Sequence, residues 1–553
     1  MIRRALFVVG SFVPFVLNAQ ARVPAAPTIP DTARLAIQRI LAPLSSNDGP
    51  GCAVGISRNG NPAYLNGFGS ANLETNTPIT PGSIFHVASV SKQFTAASIM
   101  LLVSDGKLSL DDDIRKHLPE IRSYGPPITI RHLLQHTSGM RDQWSLLSLS
   151  RGRFSENRIT DDDVMEIVAR QQELNFPTGT QYEYSNTGFT LASQIVKRVS
   201  GQSMRAFAEA RIFSPLGMRS THFHDDYTML VPGRTSAYER RADGWHVSIP
   251  NFDTYGATSL FTTAGDLLKW AANLEKPVVG TAAMYDEMRR SGVLTTGEST
   301  GYGLGLSVGR YRGAAIYGHG GADAGYRANL DIVPEHGLAV ALLCNAANAN
   351  PAALSRNIID VVLRSQLTSP PLTSPRAMYR PSAAAMDRVA GLWIEGLVGR
   401  ALLFKRRDSV LVMGTAPNAP ALIALDDSTY TAGPGGTEYQ LRTNGTLTIR
   451  NPGSTLPPIA AVKRPEVTLT GTALAPFAGT YYSEELGSTY TVTASDSTLV
   501  LKTRWGNPLT VRSVTTDHFI GNTIVVFTRD GRGRIDGMRI SDQRSRRVRF
   551  VRR

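Results

Sequence analysis

The 553-residue sequence predicts a mixed α+β domain followed by two all-β modules. Between residues 31 and 366 helical and strand patterns alternate. Helix starts such as TDDDVMEIVARQ place Thr160 as an N-cap with acidic residues in the first turn. The stretch LTSPPLTSPRAMYRPSA, residues 367–383, is rich in Pro and Ser and reads as a linker. Beyond it the helical spacing stops, and short β-branched runs alternate with Gly, Asn and Asp turns.

The β region repeats itself. VAGLWIEGLVGRALLFKRRDSVLVM from Val389 aligns without gaps to FAGTYYSEELGSTYTVTASDSTLVL from Phe477, with Gly399 on Gly487 and Asp408-Ser409 on Asp496-Ser497. Two homologous modules follow, 384–465 and 470–553, each about eighty residues and long enough for a small antiparallel barrel. A single sheet folded through both copies is the alternative.

The other end of the chain speaks to compartment. Basic MIRR, apolar ALFVVGSFVPFVL and a closing NAQA have the layout of a signal peptide, residues 1–21, cut after Ala21. Pro14 interrupts the apolar run, and no other run approaches the roughly eighteen residues of a membrane span. A soluble periplasmic or secreted protein without a transmembrane anchor is expected. No Cys stands at the cleavage point, which argues against a lipoprotein anchor.

Composition is ordinary for a globular protein, 42% hydrophobic and 19% charged. Export turns the net charge of +13 away from nucleic acid and toward an anionic cell envelope. Ten arginines crowd the segment from Arg529 to Arg553, yet RRVRFVRR alternates like a strand with one solvated face. The two cysteines, Cys52 and Cys344, are too few for a disulfide scaffold or a metal cluster. One bridge is open to them in an oxidising compartment.

Chemistry concentrates in FHVASVSKQFTAASIM, residues 85–100. Positions three apart stack on one helical face, so the Lys92 amine reaches the Ser89 hydroxyl. A serine is a poor nucleophile until a base takes its proton, and lysine can do so once burial depresses its pKa. The motif alone is weak, since Ser104 and Lys107 also fit S-x-x-K across a turn. Downstream, Tyr184-Ser-Asn186 precedes an amphipathic helix; tyrosine can relay protons, and an asparagine amide can hold both lysine and substrate. A second Tyr-x-Asn, Tyr64 to Asn66, lies in a predicted hairpin. Later, His319-Gly320-Gly321 ends a strand whose glycines allow close backbone approach to a ligand.

S-x-x-K, then Y-x-N, then [K/H]-x-G, in this order, resemble the serine β-lactamase and penicillin-binding-protein superfamily. SVSK and YSN are most similar to its class C and DD-peptidase branch of β-lactamase-related hydrolases. The resemblance covers roughly residues 31–366 and includes GKLSLDDDIRKHLPE, ITIRHLLQHTSGM, FSPLGMRSTHF and LFTTAGDLLKW. It implies a five-stranded antiparallel sheet flanked by helices, with a helical subdomain. It also implies Ser89 as acylated nucleophile, Lys92 as partner base, Tyr184 as proton relay and Asn186 as positioner of substrate. The backbone N–H groups of Ser89 and Ala322 would form the oxyanion hole.

Where class C enzymes carry Lys-Thr-Gly, this chain has His319-Gly-Gly. A mostly neutral histidine favours DD-peptidase, D-aminopeptidase or esterase chemistry over efficient β-lactam turnover. The leading expectation is therefore an exported serine hydrolase acting on D-amino-acid peptides, amides or small esters, peptidoglycan-derived peptides among them. A penicillin-binding DD-peptidase or weak β-lactamase is the alternative, and a non-catalytic wall-binding protein the third reading. No cofactor and no metal are expected. His222, His224, Asp225 and Asp226 lack the helical spacing of a zinc motif, His132 and His136 read as structural, and no phosphate-binding loop appears.

Two further expectations rest on the resemblance. The strands bearing Cys52 and Cys344 would be antiparallel partners, making the cysteines neighbours whether bridged or free. D-Aminopeptidases of this superfamily carry two β-barrel modules, with a barrel loop reaching the active site. The candidate loop is YSEELGST, residues 482–489, whose Glu484 and Glu485 would meet a substrate's free α-amino group. Two solvated turn residues are the plainer reading.

Overall fold

The computed structural model describes residues 29–44, 48–152, 157–368, 379–396, 398–414, 418–433, 436–451, 457–542 and 544–553. The expected signal peptide and the centre of the expected linker lie outside these residues. No described helix is long and apolar enough to cross a membrane.

The mixed α+β part is built on one antiparallel sheet. Its strands run in the spatial order Ser307–Tyr311, Ala314–Asp323, Tyr326–Val333, Leu338–Cys344, Cys52–Arg58, Asn61–Phe68. The sheet has six strands rather than five; the additional one is the edge strand Ser307–Tyr311, whose residues are largely exposed and so lack a buried alternation. Leu338–Cys344 is buried along its whole length because both faces of the sheet are covered. Val340, Leu342 and Ile56 pack against Ile37, Ile358 and Ile359 of two helices, Asp31–Leu41 and Pro351–Val362. Ala341, Leu343 and Ala53 face the other way, toward Leu268 and Trp270 of helix Ala264–Glu275. Successive side chains on opposite faces thus serve two cores.

Cys52 and Cys344 are register partners on adjacent central strands. They form a disulfide with Cα atoms 4.0 Å apart.

Helix Lys92–Ser104 is buried on nearly every side, Lys92 and Gln93 included. A helix apolar all round belongs in the middle of a domain, and this one packs on Asn186–Ser200 of the helical subdomain. Thr160 caps Asp161–Ala169 in a reciprocal box with Asp163.

The β region forms two separate sheets. The first has eight strands between Gly391–Glu395 and Ile459–Arg464, and its ends meet through a bridge from Val412 to Ala421. The second is a closed eight-stranded barrel from Gly479–Ser483 to Val548–Arg552. In its last strand Val548 and Phe550 are buried while Arg549 faces outward, as the alternation implies.

This second barrel docks on the helical subdomain through buried polar contacts. Arg141 donates to Glu485 Oε1 at 2.6 Å and to the Arg546 carbonyl at 2.9 Å. Tyr490 Oη donates to the Leu149 carbonyl at 2.8 Å, and Arg546 pairs with Glu183, the neighbour of Tyr184.

Candidate active site

Ser89 lies in a short 3-10 turn, Ala88–Ser91, and the α-helix proper begins at Lys92. The i, i+3 spacing predicts both residues in one helix. The difference arises at Ala88, whose φ of 47° turns the chain sharply just before Ser89. Such a conformation costs a non-glycine residue energy and recurs at functional sites. The i, i+3 stacking survives, with Lys92 Nζ 3.1 Å from Ser89 Oγ.

Lys92 is fully buried and meets two further oxygens, Asn186 Oδ1 at 2.9 Å and the Ala257 carbonyl at 2.7 Å. Burial pulls its pKa well below the ordinary lysine value, against the opposing charge of Asp142. A neutral amine has two N–H groups and one lone pair. The amide and carbonyl oxygens can only accept, so they take both N–H groups and leave the lone pair facing the Ser89 hydroxyl. That is the arrangement of a base.

Asn186 is oriented in turn by Asp142. Asp142 Oδ2 accepts from the Asn186 backbone N–H at 2.7 Å and from its Nδ2 at 2.8 Å. The Tyr184 hydroxyl is buried at the cleft wall, and the Ser89 hydroxyl beside it favours its ionised form. Burial raises the Tyr184 pKa above the ordinary tyrosine value, which keeps the phenol protonated. His136 stacks beside Tyr184 at a ring distance of 4.2 Å and accepts from the Ser185 N–H at 3.1 Å. It supports the loop from beneath.

Strand Ala314–Asp323 brings His319, Gly320, Gly321 and Ala322 to the opposite wall. A Cβ on Gly321 would stand 2.2 Å from the Val87 carbonyl and 3.2 Å from the Ser89 nitrogen, so only glycine lets the strand approach the Ser89 turn. His319 Nδ1 donates to the Gly320 carbonyl at 2.5 Å, and Nε2 then accepts from Tyr302 Oη at 2.8 Å. Burial, reinforced by the charge of Lys92, pushes its pKa down to about 3. The third motif therefore presents no cation.

Ser89, Tyr184, Asn186, His319, Ala322 and Arg544 line one cleft of about 500 Å³. Arg544 comes from the second barrel, so a barrel loop does reach the site. It is not the loop expected. Glu485 is buried 2.6 Å from Arg141, and Glu484 lines a different cavity beside Tyr482 and Arg549. In the corresponding turn of the first module, Glu395 accepts from the N–H groups of Val398 and Arg400. Outside the cleft, His222 and His224 lie 3.3 Å apart against Phe261, and the decoy Tyr64 packs under helix Asp31–Leu41.

A model of the Beta-lactamase family matches residues 36–364, more than half of the sequence. The chain belongs to this family. It stands among the serine hydrolases of the beta-lactamase-related superfamily. It is 28% identical over 348 residues to a D-aminopeptidase of Gluconobacter oxydans, spanning 62% of this chain and 64% of that one. To a D-aminopeptidase of Cereibacter sphaeroides it is 26% identical over 450 residues, 81% and 82% of the two chains. Among solved structures it is similar to an octameric penicillin-binding protein homologue from Pyrococcus abyssi. The TM-score is 0.56 at 22% identity, covering 78% of this chain and 99% of that one, a likeness of fold.

Proposed function

We propose that this beta-lactamase family member is a serine hydrolase that forms an acyl-enzyme at Ser89 and cleaves D-amino-acid peptides, amides or small esters. The observation that carries this is the buried lysine 3.1 Å from Ser89 with its N–H groups committed elsewhere. The naming of two relatives as D-aminopeptidases supports the substrate class, for which peptidoglycan-derived peptides are a fitting source. A signal peptide cut after Ala21 would deliver the enzyme to the periplasm or the exterior.

In the acylation step Lys92 takes the proton from Ser89 Oγ while Oγ bonds to the scissile carbonyl carbon. The resulting oxyanion is held by the N–H groups of Ser89 and Ala322. Collapse of the tetrahedral intermediate breaks the bond to the leaving nitrogen or oxygen. The Tyr184 phenol donates its proton there and is reprotonated from Lys92. Water then attacks the acyl carbon and releases the acid by the same proton path in reverse. The neutral His319 offers no charge to a β-lactam carboxylate, which places β-lactam turnover behind amide and ester hydrolysis.

The test is a hydrolysis screen over D-amino-acid amides, p-nitrophenyl esters and nitrocefin, read beside intact-mass labelling by an aryl phosphonate. Turnover of D-amides or esters and a label lost in Ser89→Ala are expected. Labelling that persists in Ser89→Ala overturns the reading.

A further inference from the structure

The charge at the cleft mouth comes from the second barrel. Arg544 sits in the turn after strand Ile535–Ser541, and that turn is anchored from both sides. Its carbonyl accepts from the Asp142 N–H at 3.1 Å and from Asn175 Nδ2 at 3.0 Å. Its own N–H donates to Asp542 Oδ1 at 3.0 Å. With the backbone held, the side chain lies over the Tyr184 ring at 5.0 Å and lines the cleft beside Ser89.

The guanidinium itself is not spent. Among the described residues it donates no hydrogen bond, and its nearest carboxylate oxygen is Asp142 Oδ2 at 3.8 Å, with the arginine side chain 42% exposed. That oxygen already accepts twice from Asn186 and is buried. The cleft's other charges occupy the opposite strand end. There Asp323 accepts from Thr258 at 3.0 Å and acts on Arg327, which donates to two backbone carbonyls. Among the described residues, no glutamate of the barrel lines the cleft. A planar fork of N–H donors next to a nucleophile suits a carboxylate.

We infer that Arg544 is a specificity-determining residue that binds a substrate carboxylate, so the cleft prefers D-amino-acid substrates carrying a free carboxylate over those whose nearest charge is a free amine. This rests on the hydrolase reading above and names the substrate's second point of attachment. The carboxylate has two sources, the C-terminal residue on the leaving side or an acidic group on the acyl side.

The experiment separates the sources. N-acetyl-D-alanyl-D-alanine is compared with its C-terminal amide, and N-succinyl-D-alanine p-nitroanilide with D-alanine p-nitroanilide. In wild type, one carboxylate-bearing member should exceed its partner in kcat/KM by at least about tenfold, equivalent to ~1.4 kcal/mol. The pair that shows the excess identifies the side. Arg544→Gln should bring that ratio close to one, chiefly through KM, while Arg544→Lys keeps part of it and Arg544→Glu inverts it. Because the side chain is partly exposed, added salt should shrink the wild-type ratio. A wild-type ratio near one in both pairs, or a ratio that survives in Arg544→Gln, overturns the inference while leaving the hydrolase reading intact.

Aryl phosphonates with and without a carboxylate give a readout that needs no turnover. Faster labelling of Ser89 by the anionic probe, lost in Arg544→Gln, keeps the inference even if every D-amino-acid substrate fails. No label at Ser89 overturns both readings.

Discussion

One oxygen of Asp142 holds Asn186 twice, through the backbone N–H at 2.7 Å and the side-chain amide at 2.8 Å. The amide cannot turn over without setting its oxygen against a carboxylate, so Oδ1 stays pointed at Lys92. The same carboxylate stands at the N-terminus of helix Asn186–Ser200, where the helix dipole favours it. Asp142 is a positioning residue that acts through Asn186. Asp142→Asn should lower kcat/KM on the order of 10²-fold, part of what general-base catalysis contributes. It should also move the acidic limb of the pH profile. The charge of Asp142 raises the Lys92 pKa, and Lys92 must be neutral to accept a proton, so removing that charge shifts the limb to lower pH. A limb that stays or rises contradicts the assignment.

Ser89 and Ser91 separate chemistry from structure. Ser91 Oγ donates to the Ala88 carbonyl at 2.5 Å and accepts from the Leu260 N–H at 3.0 Å, fixing the turn that carries Ser89. Ser89→Ala should abolish turnover and labelling without loss of stability. Ser91→Ala should keep labelling but cost about 1–3 kcal/mol, the penalty of leaving a buried donor unpaired. Intact mass and urea denaturation report the two outcomes. Ser104→Ala, at the far end of the helix, should leave labelling as it is.

The barrel contact at Arg141 ties stability to activity. Both members of the Arg141–Glu485 pair are at most 2% exposed, so removing one leaves the other charged and buried. Glu485→Ala should destabilise by about 3–5 kcal/mol, and Glu485→Gln by less, because it still accepts from Arg141. Since Arg141 adjoins Asp142, kcat/KM should fall with stability across this series. Glu484→Ala should alter neither stability nor the choice between amine-bearing and neutral substrates; a selective loss of amine-bearing ones would return this loop to the cleft.

The disulfide crosses the two central strands and closes a loop with a sequence separation of 292. Replacing both cysteines by serine should destabilise the protein by about 2–4 kcal/mol, read as a lower Tm that reductant no longer changes. Turnover at low temperature should persist, because the strands on either side hold the register.

What could be read in advance was local. Ser89 and Lys92 are three residues apart, Thr160 and Asp163 cap within one turn, and the continuous apolar run of Leu338–Cys344 needs no distant partner to be seen. What could not be read acts across the chain. Arg544 is one of ten arginines in its segment, and only the fold brings it over Tyr184. Asp142 looks like an ordinary N-cap, and it does accept from the Trp144 N–H; its hold on Asn186 depends on tertiary packing. Glu485 misled in the same way, because its partner Arg141 lies 344 residues off. The edge strand Ser307–Tyr311 was missed for want of a buried face.

The Tyr184 phenol stands at the wall of the cleft beside Ser89, and burial keeps its proton on by raising its pKa. In the proposed mechanism that proton goes to the leaving group, so the oxygen matters to turnover and hardly at all to the fold. Tyr184→Phe should therefore melt close to wild type while turning over far more slowly. Folding is indifferent to an atom on which the reaction depends.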